Sequence, residues 1–312
     1  MSRNLAPILV TGAHRTGTTW VGKILAAGGQ AGYISEPLNV LHRPGVFRAR
    51  VTRWYTYICQ DNDADYLPAF RETLAFRYHP WLEFVSLRSV HDAGRMGRDA
   101  FRFLRGRLGG QRPLLKDPFA IFSIPWFIDR LGSQVVVTIR HPAAFASSLF
   151  RLDWPFQLED LLAQPLLMRD WLSPYKGEIE ALQKTPDDII GQTSLLWIMV
   201  YQAVAEMQKK YPASLLRVVR HEDLSLDPVG GFHNLYTMLG LQFGSTVAEY
   251  ILKSSSAENP QELSKRQVHS TQLDSKANID NWKRRLSAEQ VIQIRHYTEQ
   301  AAKAYYPDIT WE

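Results

Sequence analysis

The sequence contains little cysteine and no long hydrophobic run. Its single cysteine, Cys59, excludes an internal disulfide, and a cysteine placed among aromatic residues is typical of packing rather than of a nucleophile. No stretch is long and apolar enough to span a bilayer. The first residues show neither the hydrophobic region nor the cleavage site of a signal peptide, and repeats and low-complexity segments are absent. We therefore expect a cytoplasmic protein without a transmembrane segment.

The composition predicts a globular chain, and its positive charge suits an anionic ligand without demanding one. The chain has 312 residues, 45% hydrophobic and 21% charged, with a formal charge of +5 at pH 7. Arginine and aromatic residues run together over residues 42–60 and 101–112. No zinc-finger, RNP or helix-turn-helix spacing accompanies them, so we interpret both stretches as a solvated basic face rather than a nucleic-acid surface.

A strand, a glycine-containing loop and a helix are predicted near the N-terminus. Residues 7–11 are apolar and β-branched, and the segment from Thr18 to about Ala27 has helical periodicity. Gly12 and Gly17 enclose the turn between them, where helix N–H groups and the helix dipole favour an anion. The pattern is that of a P-loop except that Thr18 replaces its lysine. An ordinary strand-to-helix turn is the alternative interpretation.

Strands and helices alternate along the rest of the chain. Further strands are predicted at 112–116, 134–139 and 215–219, and helices at 121–131, 189–210 and 287–304. This alternation predicts a three-layer α/β/α fold with a central, mainly parallel sheet. We expect one domain over residues 1–312, in which 41–110 and 151–188 are helical and loop excursions over the C-terminal edge of the sheet, where such folds bind ligands.

Three motifs resemble those of the sulfotransferases that use 3'-phosphoadenosine-5'-phosphosulfate (PAPS). The first is TGAHRTGTTW at residues 11–20, and the second is VVVTIRHPAAFASSLF at 135–150, which carries Arg140 and Ser148. A weaker third is SKANIDNWK at 275–283. The motifs occur in the order known from this family. The resemblance implies a bacterial-type member with a topology like that of P-loop NTPases.

The resemblance also implies which residues bind PAPS and its product, adenosine 3',5'-bisphosphate, without a metal. Arg140 and Ser148 would hold the 3'-phosphate, with Lys276 as a third contact; taken singly, they would be an ordinary surface arginine and a helix-face hydroxyl. Arg15 would replace the missing P-loop lysine and neutralise the departing oxygen. The residues implied for the phosphosulfate end are His14, Arg15, Thr16, Gly17, Thr18, Thr19 and Trp20.

Two further residues are implied catalysts. Glu36, in the stretch GYISEPLN, is the expected general base, and the following proline predicts an extended backbone for it. The alternatives are an exposed carboxylate, or His14 or His42 as the base. Lys116, in LLKDP, resembles a lysine that reaches the transferring group, although a plain surface turn of Lys116 and Asp117 would explain it equally well.

The predicted reaction is sulfuryl transfer from PAPS to a hydroxyl, or less favourably an amine, of a small-molecule, carbohydrate or lipid acceptor. Two alternatives remain open. A P-loop kinase of small molecules would share the sheet topology and glycine loop, but it calls for a lysine after Gly17. An inactive nucleotide-binding protein on the same scaffold would be expected to lose the nucleotide contacts. The segment RHEDL at 220–224 receives no chemical role, only helix capping.

Overall fold

A computed structural model describes residues 6–41, 43–261 and 272–312. Its centre is a five-stranded sheet in the order β2-β3-β1-β4-β5, with every pair parallel. The prediction of a central parallel sheet is confirmed. The strands are β1 (Ile8–Thr11), β2 (Ala31–Ser35), β3 (Arg112–Lys116), β4 (Gln134–Ile139) and β5 (Leu216–Arg220).

Helices cover both faces of this sheet. The α-helices within the described residues are α1 (Thr18–Ala27), α2 (Asp63–Leu74), α3 (Pro80–Ser86), α4 (Val90–Leu108), α5 (Ile124–Leu131), α6 (Pro142–Leu152), α7 (Glu159–Leu162), α8 (Pro165–Leu167), α9 (Lys176–Leu182), α10 (Ile189–Lys210), α11 (His221–Leu226), α12 (Pro228–Leu239), α13 (Ser245–Ser255), α14 (Asn281–Arg285) and α15 (Ala288–Ala302). The helix predicted at 121–131 is divided: a 3₁₀ turn covers Pro118–Ser123 and α5 follows it.

Alternate residues of each strand enter two different apolar layers, as the period of a strand requires. Leu9 of β1 lies beside Leu115 and Val135 in one layer, together with buried residues of α10. Ile8 and Val10 enter the other layer, against α1 and α12. Burying each such side chain contributes about 1.5–3 kcal/mol. The two layers explain the α/β/α architecture.

Because all five strands are parallel, their carboxyl ends lie at one edge of the sheet. The loop at 12–17 follows β1, Glu36 follows β2, and Asp117 follows β3. Arg140 follows β4, and His221 follows β5 directly. Each strand therefore delivers at least one polar group to the same edge.

The two excursions differ in where they lie. Trp54 from the first and Trp154 from the second reach the cleft at the strand ends. In contrast, α4 packs against α3 and the edge strand β2, with Phe103 buried beneath it. Among the described residues, no helix has the length and apolarity needed to cross a membrane.

Candidate active site

The loop after β1 is held by its own hydrogen bonds. The Thr16 hydroxyl donates to the Ala13 carbonyl at 2.6 Å and lies 2.8 Å from the Thr138 hydroxyl, and the Thr16 N–H also bonds to Ala13 at 3.2 Å. Thr16 is fully buried. The polar groups of Thr16 thus shape the loop, and its expected contact with PAPS stays a prediction.

The first turn of α1 offers backbone N–H groups to the cleft. Gly17 precedes the helix with a φ of 94°, a conformation that favours glycine, and no side chain caps the helix within the described residues. Thr18 and Thr19 both line the cleft. The first turn carries no acidic residue, so its N–H groups and dipole face the cleft without a competing carboxylate.

Two arginines meet at this edge. The Arg15 Nε donates to the Ser148 hydroxyl at 3.4 Å, which joins the loop to α6. Burial, with Arg140 and Arg151 nearby, lowers the pKa of Arg15 to about 10. Arg140 is 7% exposed and donates one N–H to the Asn278 carbonyl at 3.1 Å. Its Nε has no partner among the described residues.

The pKa of Arg140 is lowered by its burial, although Glu222 opposes this effect. Positive charges crowded in a buried place repel one another, and an anion between them would relieve that repulsion. Arg15, Arg140 and Ser148, predicted from two separate motifs, are thus brought to one place. Ser148 itself is buried and reaches the site through Arg15.

His221 is a cleft residue that the sequence reasoning missed. Its side chain lines the cleft and is 8% exposed, yet neither ring nitrogen has a hydrogen-bond partner within the described part of the chain. Burial and the nearby Arg140 lower the pKa of His221 to about 3, so the ring is neutral. The sequence signal that could have identified His221 was its position directly after β5.

Glu222, instead of capping its own helix, accepts the N–H of His141 at 2.9 Å.

Trp20 stands beside this histidine. The two rings are edge to face with centroids 5.6 Å apart, and the Trp20 indole donates to the Ser254 hydroxyl at 3.1 Å. Both residues line the cleft. A flat aromatic surface therefore lies next to α1, beside two imidazole nitrogens that no described residue bonds.

Glu36 lies in the cleft, but its backbone is not extended as expected. Its φ is 50°, in the left-handed region. The Glu36 N–H donates to the Lys116 carbonyl at 2.8 Å, and the Glu36 carbonyl accepts from the Asn39 N–H at 3.2 Å. These two bonds bend the chain into a turn, which overrides the preference of a residue before proline.

The Glu36 carboxylate is paired on both sides. The Lys116 ammonium donates to one oxygen, and the Asn39 amide donates to the other at 2.7 Å. Lys116 is buried and paired, and its pKa is raised: burial lowers it, but the neighbouring Tyr33 and Glu36 more than compensate. Lys116 is not among the residues that line the cleft.

Asp117 is also buried, which excludes the alternative of a surface turn at Lys116 and Asp117. Its carboxylate accepts the N–H groups of Leu38 at 2.6 Å and Phe119 at 3.0 Å. Burial raises the pKa of Asp117 to about 7, against the lowering effect of the bond from Leu38. Asp117 thereby joins the turn that follows β2 to the segment that follows β3.

His14 is a neutral residue that also lines the cleft. Its Nδ1 lies 2.8 Å from the Tyr55 hydroxyl, and its ring packs against Phe119 and Phe156. Burial, with Arg15 nearby, lowers the pKa of His14 to about 4. The other alternative base, His42, lies outside the described residues.

The part of the cleft that contains Glu36 and His14 is otherwise mostly apolar. The whole cleft encloses about 730 Å³. Asn39 and Gln157 are the polar side chains on this wall within the described residues. Its apolar side chains are Leu41, Trp54, Phe119, Trp154, Pro155 and Phe156.

The third motif contributes differently from what was expected. Lys276 is exposed and does not line the cleft, whereas Ser275 and Asn278 on either side of it do. Trp282 is buried and stacks on His141 with centroids 5.2 Å apart. Its role is therefore packing.

Comparison with known proteins decides the family. A model of the sulfotransferase domain matches residues 5–305. The chain belongs to the sulfotransferase family. The general reaction of this family is PAPS-dependent sulfuryl transfer. The chain is also similar to carbohydrate sulfotransferase 1 of Danio rerio, at 24% identity over 179 residues, 56% of this chain. The match spans only 37% of that relative's length.

Solved sulfotransferase structures also resemble this sulfotransferase. The sulfotransferase domain of the Synechococcus olefin synthase aligns over 98% of this chain and 97% of its own, with 15% identity and a TM-score of 0.48. The sulfotransferase from Alicyclobacillus acidocaldarius aligns over 98% of both chains, with 12% identity and a TM-score of 0.46. Mouse SULT7A1 complexed with PAP aligns over 98% of this chain and 90% of its own, with 11% identity and a TM-score of 0.44.

Proposed function

We propose that this sulfotransferase moves the sulfuryl group of PAPS to an acceptor hydroxyl and releases adenosine 3',5'-bisphosphate. The observation that carries the proposal is the meeting of Arg15 and Arg140 at the ends of β1 and β4. The two residues come from different motifs and repel each other in a buried place. A ligand with negative charge at two points suits this arrangement.

The residues present fit PAPS as the sulfuryl donor. Within the described residues, the Nε of Arg140 and both ring nitrogens of the buried His221 have no hydrogen-bond partner. In the proposal, Arg15, Thr18 and the N–H groups of the first turn of α1 hold the phosphosulfate end. Arg140 holds the 3'-phosphate, and Ser148 positions the Arg15 guanidinium. We leave Lys276 out, since it is exposed beside the cleft rather than in it. When bound, the donor supplies an activated sulfuryl group.

Glu36 is the proposed general base. Its ion pair with Lys116 favours the charged carboxylate, which is the form that accepts a proton from an acceptor hydroxyl. The bond from Asn39 orients the same group. Because Lys116 is buried behind Glu36, we propose it as a positioning residue rather than one that contacts the transferring group. Arg15 neutralises charge on the departing oxygen.

The acceptor is proposed to be a phenol or an apolar alcohol. Trp54, Phe119 and Phe156 surround the space beside Glu36, and the polar side chains there are few. A sugar has a hydroxyl on almost every carbon, and each would lose water against this wall without a replacement hydrogen bond. A ring or acyl body with one hydroxyl fits it better.

Release of adenosine 3',5'-bisphosphate from PAPS tests the proposal. The acceptor panel contains simple phenols, medium-chain alcohols, monosaccharides and primary amines. We expect release that depends on a phenol or an alcohol and that Glu36→Gln abolishes. Acceptor-dependent release with sugars alone would refute the acceptor class. No release with any acceptor, although the bisphosphate binds, would refute the proposed activity.

A further inference from the structure

Helix α4 exposes a line of apolar side chains to solvent, with two glycines between Val90 and Phe101. Successive members of this line are alternately four and three residues apart, so they share one side of the helix. Val90 is 91% exposed, Phe101 65% and Leu108 78%. We call this set the α4 stripe: Val90, Gly94, Gly97, Phe101, Leu104 and Leu108.

The opposite side of α4 is firmly packed, so the exposure of the stripe is not an effect of loose docking. Phe103 is 3% exposed and lies edge to face with Phe76 at 5.9 Å. A side-chain carbon on Gly106 would collide with the Phe76 ring at 2.7 Å. The buried Asp99 is paired with Arg43. The helix is thus fixed with its stripe facing outward.

Helix α3, joined to α4 by residues 87–89, adds exposed aromatic groups. Trp81 is 71% exposed and Phe84 56%, and their rings stack with centroids 5.8 Å apart. Val85, on the same side of α3, is 64% exposed. The buried Glu83 anchors α3 by accepting the Gly45 N–H at 2.8 Å. Large apolar side chains this exposed and this close together mark an interaction surface.

The charges beside the stripe are positive. Arg98, Arg105 and Arg107 are exposed and have no ion-pair partner in the described part of the chain. The acidic residues of α4, Asp92 and Asp99, are both already paired with arginines. The helix therefore presents an apolar stripe with uncompensated positive charge beside it.

We propose that α3 and α4 bind the surface of a membrane containing anionic lipids. An exposed apolar face flanked by arginines, with tryptophan beside it, is the composition of helices that lie in the membrane interface. A second copy of this chain is a poorer partner, because a two-fold contact would set the same arginines against each other. The proposal is independent of the reaction at the cleft.

Helices α3 and α4 contact the chain segment that reaches the rim of the cleft. Leu41, which lines the cleft, is 82% exposed. Arg43, two residues later, is paired with Asp99 of α4, and Gly45 is bonded to Glu83 of α3. Bound to a membrane, the protein would thus have its lipid-contacting helices linked to the segment that carries Leu41 at the cleft.

Co-sedimentation with vesicles tests this inference. The vesicles consist of phosphatidylcholine alone, or of phosphatidylcholine with phosphatidylglycerol, and the protein is the full chain. We expect binding to the anionic vesicles that weakens as salt is added, and little binding to phosphatidylcholine alone. Phe101→Ser with Leu104→Ser should lower the partition coefficient about tenfold or more. Arg98→Gln with Arg105→Gln should lower it about 30-fold.

The matched control replaces exposed apolar residues on other helices. Leu252 is 59% exposed and Ile292 66%, so Leu252→Ser with Ile292→Ser removes similar surface elsewhere and should bind vesicles as the unmodified protein does. Circular dichroism and the unfolding temperature check that each variant is folded. Absence of binding to anionic vesicles, or equal binding of the stripe variant, would overturn the proposal. A dimer, or a complex with an acidic protein, that the stripe substitutions dissociate would also overturn the proposal.

Discussion

Gly17, which precedes α1, lies against the ring of His221, which directly follows β5. A methyl group on Gly17 would come within 2.7 Å of the His221 Nδ1. The contact brings the first turn of α1 against the residue that follows β5. Because residue 17 has no side chain, the space beside His221 stays open to a ligand.

Gly17→Ala should therefore abolish or greatly weaken binding of adenosine 3',5'-bisphosphate. The variant combines the cost of a φ of 94°, on the order of 1–3 kcal/mol, with a collision against His221. Gly29→Ala is the control, since Gly29 has a φ of 73° but nothing within 4 Å of the added carbon. Calorimetric titration measures both. Equal affinities in the two variants would show that the Gly17 contact is irrelevant to binding.

Glu36→Gln should lower turnover about 100-fold or more, the usual contribution of a general base. Its affinity for the bisphosphate should change less than about threefold, because Glu36 is proposed to act on the acceptor and not on the nucleotide. Glu178→Gln, at an exposed position on α9, is the control. Steady-state rates and calorimetry separate the two effects. If Glu36→Gln retains normal turnover, another group accepts the proton.

Arg140→Lys should weaken bisphosphate binding about tenfold or more while leaving turnover at saturating donor within about threefold. Lysine keeps the charge but loses the fork that binds a phosphate through two N–H groups. Arg217→Lys, at an exposed position on β5, should have no effect. A large fall in turnover with unchanged affinity would place Arg140 at the reacting end instead.

His221 should make the folded protein sensitive to acid. Its pKa is about 3 in the folded state and 6.5 ordinarily, so below pH 6.5 the unfolded chain gains a proton that the folded chain does not. Stability falls there by up to about 1.4 kcal/mol per pH unit, and is retained above pH 6.5. His14, with a pKa of about 4, acts in the same direction and is unchanged by the test.

Urea unfolding of the protein and of His221→Asn at several pH values between 5 and 7.5 measures this contribution. The variant should lose less free energy of unfolding on acidification, while the two should run parallel above pH 6.5. Curves that stay parallel throughout would mean that the pKa of His221 is the same in the folded and unfolded states.

The sheet and the two strand-end arginines could be predicted because they depend on local patterns. A short apolar β-branched run such as residues 134–139 strongly favours a buried strand, and a basic residue just after a parallel strand lies at the shared edge. Arg15 and Arg140 were therefore predicted at the ends of neighbouring strands from motifs far apart in the chain. The helices α2 to α4 were not, because aromatic residues and arginines obscured their periodicity.

The details of the site depend on tertiary contacts that no local pattern contains. The orientation of Thr16 is set by Thr138 on another strand, and the bend at Glu36 by the carbonyl of Lys116. His221 becomes a cleft residue only because β5 lies next to β4. Such facts follow from strand order, which the sequence motifs did not supply.

Calorimetric titration of adenosine 3',5'-bisphosphate tests the central claim, that Arg15 and Arg140 jointly bind one adenine nucleotide with phosphates at both positions. The account predicts one site per chain, tighter for the bisphosphate than for ATP with magnesium, and weakened by substituting either arginine. No heat with the bisphosphate, or tighter binding of ATP with magnesium, would contradict it.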